Sequence, residues 1–168
     1  MKPVLDVTCG SRMMWFDKDN PLAVFMDNRR ESCKLCDGRI LEINPDVLGD
    51  FRNIPFENGT FKLVVFDPPH LKRAGKDSWL ALKYGLLGDS WRADIQEGLY
   101  ECFRVLEDYG TLVFKWSEDQ IQASDVLSLE VPCPLFGHRR GHTIFMVFMA
   151  TPEDREKMAR SKQEAHNK

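Results

Sequence analysis

No stretch of this chain approaches the ~20 consecutive apolar residues that a membrane span needs. The amino terminus also lacks a basic lead and an apolar signal core, passing directly into Val4-Leu5-Asp6-Val7. Basic charge is in short supply: 23 Lys and Arg against 26 Asp and Glu leave a net charge of −3, which excludes a wholesale polyanion binder. No repeat, low-complexity tract or domain linker interrupts the sequence. The 5 cysteines, an odd number dispersed among apolar neighbours, argue against a disulfide framework and point to reduced thiols in a cytoplasmic protein. Cys33 and Cys36 have the spacing of half a zinc site, yet no second CxxC or paired histidine motif follows. Two thiols in a connection are the expectation, and no metal site is predicted.

What is present is enough for one domain. The 168 residues, 43% hydrophobic and 29% charged, suffice for a real core but not for a second folded module. Short apolar runs at 3–7, 22–26, 62–67, 111–116, 127–131 and 143–150, with a weaker one near 46–49, alternate with helix-compatible or turn-rich segments. That pattern predicts an α/β fold with a mostly parallel, doubly wound sheet. Ile95, Leu99, Cys102, Phe103 and Leu106 recur at helical spacing and predict a helix over about 92–108, ended by Gly110. The runs at 127–131 and 143–150 read as an antiparallel pair. The domain is expected to cover 1–150, with 151–168 as a charged tail.

The chemistry concentrates at residues 63–70, Leu-Val-Val-Phe-Asp-Pro-Pro-His. An apolar, β-branched run reads as a buried strand, and two prolines stop it by removing backbone donors and fixing φ. Asp67 then stands at the carboxyl end of a buried strand, where open α/β sheets bind ligands. A carboxylate beside rigidly held carbonyls suits the orientation of an exocyclic amino group. Upstream, Asp6-Val7-Thr8-Cys9-Gly10-Ser11 follows another short strand, and its glycine permits close approach of backbone to a ligand. Asp27 ends the next strand, where an acid can accept from both ribose hydroxyls or can cap the following segment. Asp50 is a third acid, with Phe51 able to pack on a ring, and an ordinary loop carboxylate is its competing reading.

The tetrapeptide at 67–70 resembles the Asp/Asn-Pro-Pro-aromatic signature of S-adenosylmethionine-dependent amino-methyltransferases, which modify adenine N6 or cytosine N4. Residues 4–11 resemble the first strand and glycine loop of that family, 22–27 its second strand with terminal acid, and 49–56 the segment carrying its adenine-contacting acid. The similarity runs over roughly residues 3–150 and extends to small phage and prophage DNA methyltransferases. It implies a Rossmann-like class I methyltransferase domain with a mostly parallel seven-stranded sheet and an antiparallel last strand. It also implies S-adenosyl-L-methionine as cofactor. Asp67, Pro68, Pro69 and His70 are then the catalytic corner, with His70 where Tyr, Phe or Trp usually stacks on the base. Asp6, Thr8, Cys9, Gly10, Asp27, Asp50 and Phe51 form the cofactor side. Arg12 replaces a common second glycine and is expected to pair with a cofactor carboxylate.

The expected acceptor is an amino nitrogen of a nucleobase in DNA or RNA, adenine N6 ahead of cytosine N4. Lys72, Arg73 and Trp79 are candidate substrate contacts because basic and aromatic residues together suit unpaired nucleic acid. Lys115 ends a strand on the ligand side, where it can contact substrate or close off the core, and Arg139 and Arg140 are candidate phosphate contacts. The segment 71–92 reads equally as a lid whose aromatics pack on the sheet. The alternatives are a small-molecule or protein amine as acceptor, or an inactive cofactor-binding subunit that needs a partner. A homodimer or partner subunit is compatible with so small a chain; a membrane association is not expected.

Overall fold

The computed structural model describes residues 1–35, 38–73 and 85–166. The strands are β1 (Val4–Asp6), β2 (Ala23–Asp27), β3 (Glu31–Lys34), β4 (Ile40–Ile43), β5 (Val47–Leu48), β6 (Phe61–Phe66), β7 (Leu106–Ser117), β8 (Phe136–Arg140) and β9 (Thr143–Ala150). The helices among the described residues are α1 (Trp91–Val105), α2 (Ala123–Leu127) and α3 (Pro152–His166). None of the described helices is long and apolar enough to cross a membrane.

The main sheet has seven strands in the order β5-β2-β1-β6-β7-β9-β8. Only β9 runs against the rest, inserting between β7 and β8 and pairing antiparallel with both. The chain starts in the middle, moves outward through β2 and β5, then returns to β6 on the other side of β1. That reversal makes the β1/β6 boundary a topological switch point, where the connections diverge and open a crevice at the carboxyl ends. The α/β class and the antiparallel final strand agree with the sequence reading. Strands β3 and β4 form a separate hairpin in the connection from β2 to β5.

The core occupies one side of the sheet. Strand side chains alternate between faces, so Val64 and Phe66 of β6, Leu112, Phe114 and Trp116 of β7, and Met146 and Phe148 of β9 all point the same way. Ile95, Leu99 and Phe103 of α1 cover them, joined by Val126 of α2 and Met158 of α3. Among the described residues the opposite face carries a smaller cluster, Cys9, Ala23 and Phe25 packed with Val4 and Trp15. Helix α3 is tied to α1 by Lys162, which reaches Glu97 at 2.5 Å and the buried Glu101 at 2.8 Å.

Two expected elements are corrected. The run 127–131 is not a strand: Leu127 ends α2, and Pro132 and Pro134 remove donors that a ladder would need. The strand that pairs with β9 is Phe136–Arg140, an edge strand with all five residues exposed, so it has no apolar alternation to betray it. Helix α1 stops at Val105 rather than near 108, and Gly110 lies within β7. Leu106 is already extended, and the carbonyls of Arg104 and Val105 accept from Gly59 and Thr60 N–H groups, ending the helix without a glycine cap.

Candidate active site

Three carboxylates meet where the strand reversal opens the sheet: Asp6 at the end of β1, Asp27 at the end of β2 and Asp67 just past β6. Each is anchored. Asp27 accepts from Gly10 N–H at 2.9 Å through Oδ2 and from Arg29 N–H at 3.0 Å through Oδ1. Asp6 accepts from Trp15 Nε1 at 2.7 Å and from Thr8 N–H at 3.3 Å. Thr8 Oγ1 in turn accepts the Asp67 N–H at 3.1 Å, and Lys115 Nζ donates to Asp67 Oδ2 at 2.6 Å. The loop can do this because Gly10 adopts φ +49°, a conformation costly for a side chain.

Together they line a cavity of about 610 Å³, a size typical of small-molecule sites. Asp6, Asp27, Asp67 and Asp94 face it, opposed by Arg29, Arg52 and Lys115. Phe51, Leu87 and Met13 supply apolar wall. Phe51 is held by Phe66, with ring centroids 5.4 Å apart, and lies over Gly98 of α1. A Cβ at Gly98 would sit 2.6 Å from the Phe51 ring, so the glycine makes room for that wall.

Burial pushes the Asp6 carboxyl up to about 7 from its ordinary 3.8, with Asp67 and Asp27 adding to the rise and Trp15 and Thr8 opposing it. The folded protein therefore holds this proton more tightly than the unfolded chain. The stability that Asp6 contributes is complete below 3.8 and is lost as pH rises through about 7. We expect the melting temperature of the ligand-free protein to fall between about pH 6 and about pH 8, and Asp6→Asn to show a smaller fall. Thermal denaturation at the two pH values checks this.

The other candidate residues are distributed as follows. Cys9 is a buried thiol whose pKa burial raises to about 12, so it stays protonated. Pro68 is buried, while Pro69 lines the cavity and packs against Gly85. His70 is half-buried with Asp67, Asp119 and Lys115 as its charged neighbours, and burial lowers its pKa. Asp50 lies outside the cavity lining; Arg52 grips it at 2.6 Å and also reaches Asp94 at 3.0 Å. Lys72 and Arg73 N–H groups donate to Gln120, fixing the segment after Pro69 beside β7. Arg139 pairs with Glu118, whereas Arg140 is exposed on β8. Trp79 and Cys36 lie outside the described residues.

Arg12 is a correction. Its guanidinium stacks 4.0 Å above Phe25 and donates to the carbonyls of Lys18 at 2.6 Å and Asn44 at 2.8 Å, on the far side of the glycine loop. It braces the loop, adopting φ +55° to do so. Sequence reasoning also missed Arg29, Arg52, Asp94 and Gly98. Gly98 alone left a signal, being a glycine in the interior of an otherwise good helix. Among the described residues, no cluster of His, Cys, Asp and Glu is placed to hold a metal ion.

No protein-family model and no curated protein sequence matches this chain. Solved structures do. The N-methyltransferase NodS of Bradyrhizobium japonicum superposes with a TM-score of 0.53 at 11% identity, over 88% of this chain and 85% of that one. The PH0226 protein of Pyrococcus horikoshii gives 0.52 at 14% identity, over 87% and 80%. The HI0767 protein of Haemophilus influenzae gives 0.51 at 13% identity, over 90% and 88%. The fold is thus the Rossmann-like methyltransferase fold.

Proposed function

We propose that this chain is an S-adenosylmethionine-dependent N-methyltransferase acting on an exocyclic amino group of a nucleobase in DNA or RNA, adenine N6 ahead of cytosine N4. The observation that carries the proposal is that Asp67 opens onto the same cavity as Gly10 and Asp27 and is held there by Thr8 and Lys115. The cavity suits the cofactor in size and lining: Asp27 offers a ribose acceptor and Phe51 an apolar wall. When bound, S-adenosylmethionine supplies an electrophilic methyl group on a sulfonium.

The chain's own residues do the rest. An aromatic amine is a poor nucleophile because its lone pair is conjugated into the ring. Asp67 accepts an amine hydrogen and holds the nitrogen in line, and its negative charge favours the positive charge that develops there. With Oδ2 occupied by Lys115, Oδ1 is the oxygen turned to this task. The proton departs after transfer, so a strongly perturbed base is not required. Burial lowers the pKa of His70, which disfavours a further positive charge beside Asp67.

Lys115 is a positioning residue in this scheme. Lys115→Met leaves the Asp67 carboxylate without its brace, and we expect kcat to fall about tenfold with KM for cofactor nearly unchanged. Steady-state kinetics in both substrates separate the two. The proposal itself is tested by incubating the protein with methyl-deuterated S-adenosylmethionine and duplex DNA, single-stranded DNA or RNA, then digesting to nucleosides for mass spectrometry. Labelled N6-methyladenosine or N4-methylcytidine, ribo or deoxy, supports it. Label only in a free small molecule or a protein overturns it.

A further inference from the structure

The face of the sheet opposite the core is open over its last strands, and its composition is that of a stacking platform. On β7, Val113, Lys115 and Ser117 point away from α1. The ladders continue these positions outward in rows. Val113 neighbours Val147 and then Phe136; Lys115 neighbours Phe145 and then His138; Ser117 neighbours Thr143 and then Arg140. Phe145 is 36% exposed and Phe136 64%, and His138 and Arg140 are exposed beside them. Helices α1, α2 and α3 all pack on the other face, so among the described residues no helix covers this one.

The middle row leads to the chemistry. Lys115 is at once the residue beside Phe145 and the partner of Asp67 at 2.6 Å, so the sequence of side chains Asp67, Lys115, Phe145, His138 runs unbroken across three strands. With neighbouring strands ~4.8 Å apart, this path spans roughly 14 Å from the candidate catalytic corner to the sheet edge. Lys115 is paired with Asp67 and Ser117 donates to Asp119, so the exposed basic side chains of these rows are Arg140 and His138 at the outer strand. Two exposed phenylalanines on a β-surface edged by Arg140 suit bases that are unpaired and splayed, because each base offers a π-face and the guanidinium can meet a phosphate. A duplex buries those faces and gains nothing from the phenylalanines.

We infer that this open face of β7, β9 and β8 binds single-stranded nucleic acid, stacking bases on Phe145 and Phe136 and delivering the neighbouring base past Lys115 to Asp67. The inference rests on the nucleobase reading and narrows it to unpaired substrate. The exposed rings, the Arg140 guanidinium beside them and continuity with the candidate active site select this occupant over a second copy of the chain.

The test measures fluorescence anisotropy of dye-labelled single-stranded DNA and RNA oligonucleotides of mixed sequence, against the same DNA as a duplex, with the full chain. Single strands should bind more tightly than duplex. Phe145→Leu and Phe136→Leu, which keep apolar bulk but remove the ring, should each weaken single-strand binding about tenfold. Arg140→Gln should reduce the slope of log K against log salt by about 0.7. Binding of S-adenosylmethionine should be unchanged in all three, which confirms folding. Tight single-strand binding that the three variants leave unaltered, or a preference for duplex, overturns this inference while the nucleobase reading stands. A dimer that Phe136→Leu or Phe145→Leu dissociates, with oligonucleotide binding unaffected, assigns the face to a second copy and likewise overturns it. No binding to any oligonucleotide, together with no labelled nucleoside, overturns both.

Discussion

Asp67→Ala is expected to lower the single-turnover rate of methyl transfer by about 10²- to 10³-fold, while binding of S-adenosylmethionine changes by no more than a few fold. The asymmetry follows from where the side chain sits. Asp67 lines the same cavity as Gly10 and Asp27, and in the proposed scheme its carboxylate meets the reacting amine while Asp27 meets the cofactor's ribose. Its backbone is fixed by Thr8 Oγ1, so removing the carboxylate leaves the strand end in place. It does leave Lys115 beside a developing positive charge without its counter-ion, which adds to the loss. Asp67→Asn retains an acceptor oxygen without the charge and is expected to fall between wild type and alanine. Rapid-quench kinetics with labelled cofactor, paired with a cofactor titration of each variant, checks both halves.

Glu101→Ala is expected to cost about 3 kcal/mol of stability, toward the lower end for a broken buried ion pair because Arg104 and Lys162 keep some contact with water. Glu101 is 2% exposed at the centre of a four-way junction. Its Oε2 accepts the Ile54 N–H at 2.8 Å, tying down the segment between β5 and β6. Arg104 donates to both oxygens at 2.8 and 2.7 Å, and Lys162 of α3 donates at 2.8 Å. Burial alone would raise this carboxyl, but the hydrogen bonds from Arg104, Lys162 and Ile54 outweigh it and leave its pKa lowered. A lowered folded pKa means stability that is present above the ordinary value of 4.5 and is lost as pH falls through the folded value. Urea denaturation at neutral pH should show the loss in Glu101→Ala. Glu101→Gln should additionally lose part of the acid-dependent destabilisation seen in wild type.

The parts of this molecule that sequence makes visible are those encoded locally. A β-branched run stopped by two prolines announces β6 and Asp67, and a glycine after β1 and an acid after β2 mark the loop and its partner. The structure brings Asp6, Gly10, Asp27 and Asp67 to one cavity because parallel strands place their carboxyl ends together. What sequence hides is settled across distance. Lys115 meets Asp67 over 48 positions, and nothing near either residue foretells it. Arg12 is a cation in a binding loop, yet Phe25 and two carbonyls claim it. Asp50 stands at the expected strand end, yet the neighbouring Arg52 takes both of its oxygens. Strand β8 escaped notice because an edge strand exposed on both faces carries no hydrophobic period. The apolar run at 127–131 misled for the opposite reason, since its side chains pack as the end of α2 and the turn after it.

The proposed activity requires that the cavity beside Gly10 and Asp27 be the cofactor site. Titration calorimetry of the full chain with S-adenosylmethionine tests that most directly, using Asp27→Ala as the informative variant. Asp27 anchors the Gly10 N–H and faces the cavity, so its loss should weaken saturable cofactor binding by about 10- to 100-fold. Phe145→Leu, on the open sheet face, should leave the affinity as it is. An absence of saturable binding, or an affinity that Asp27→Ala does not change, would contradict the account.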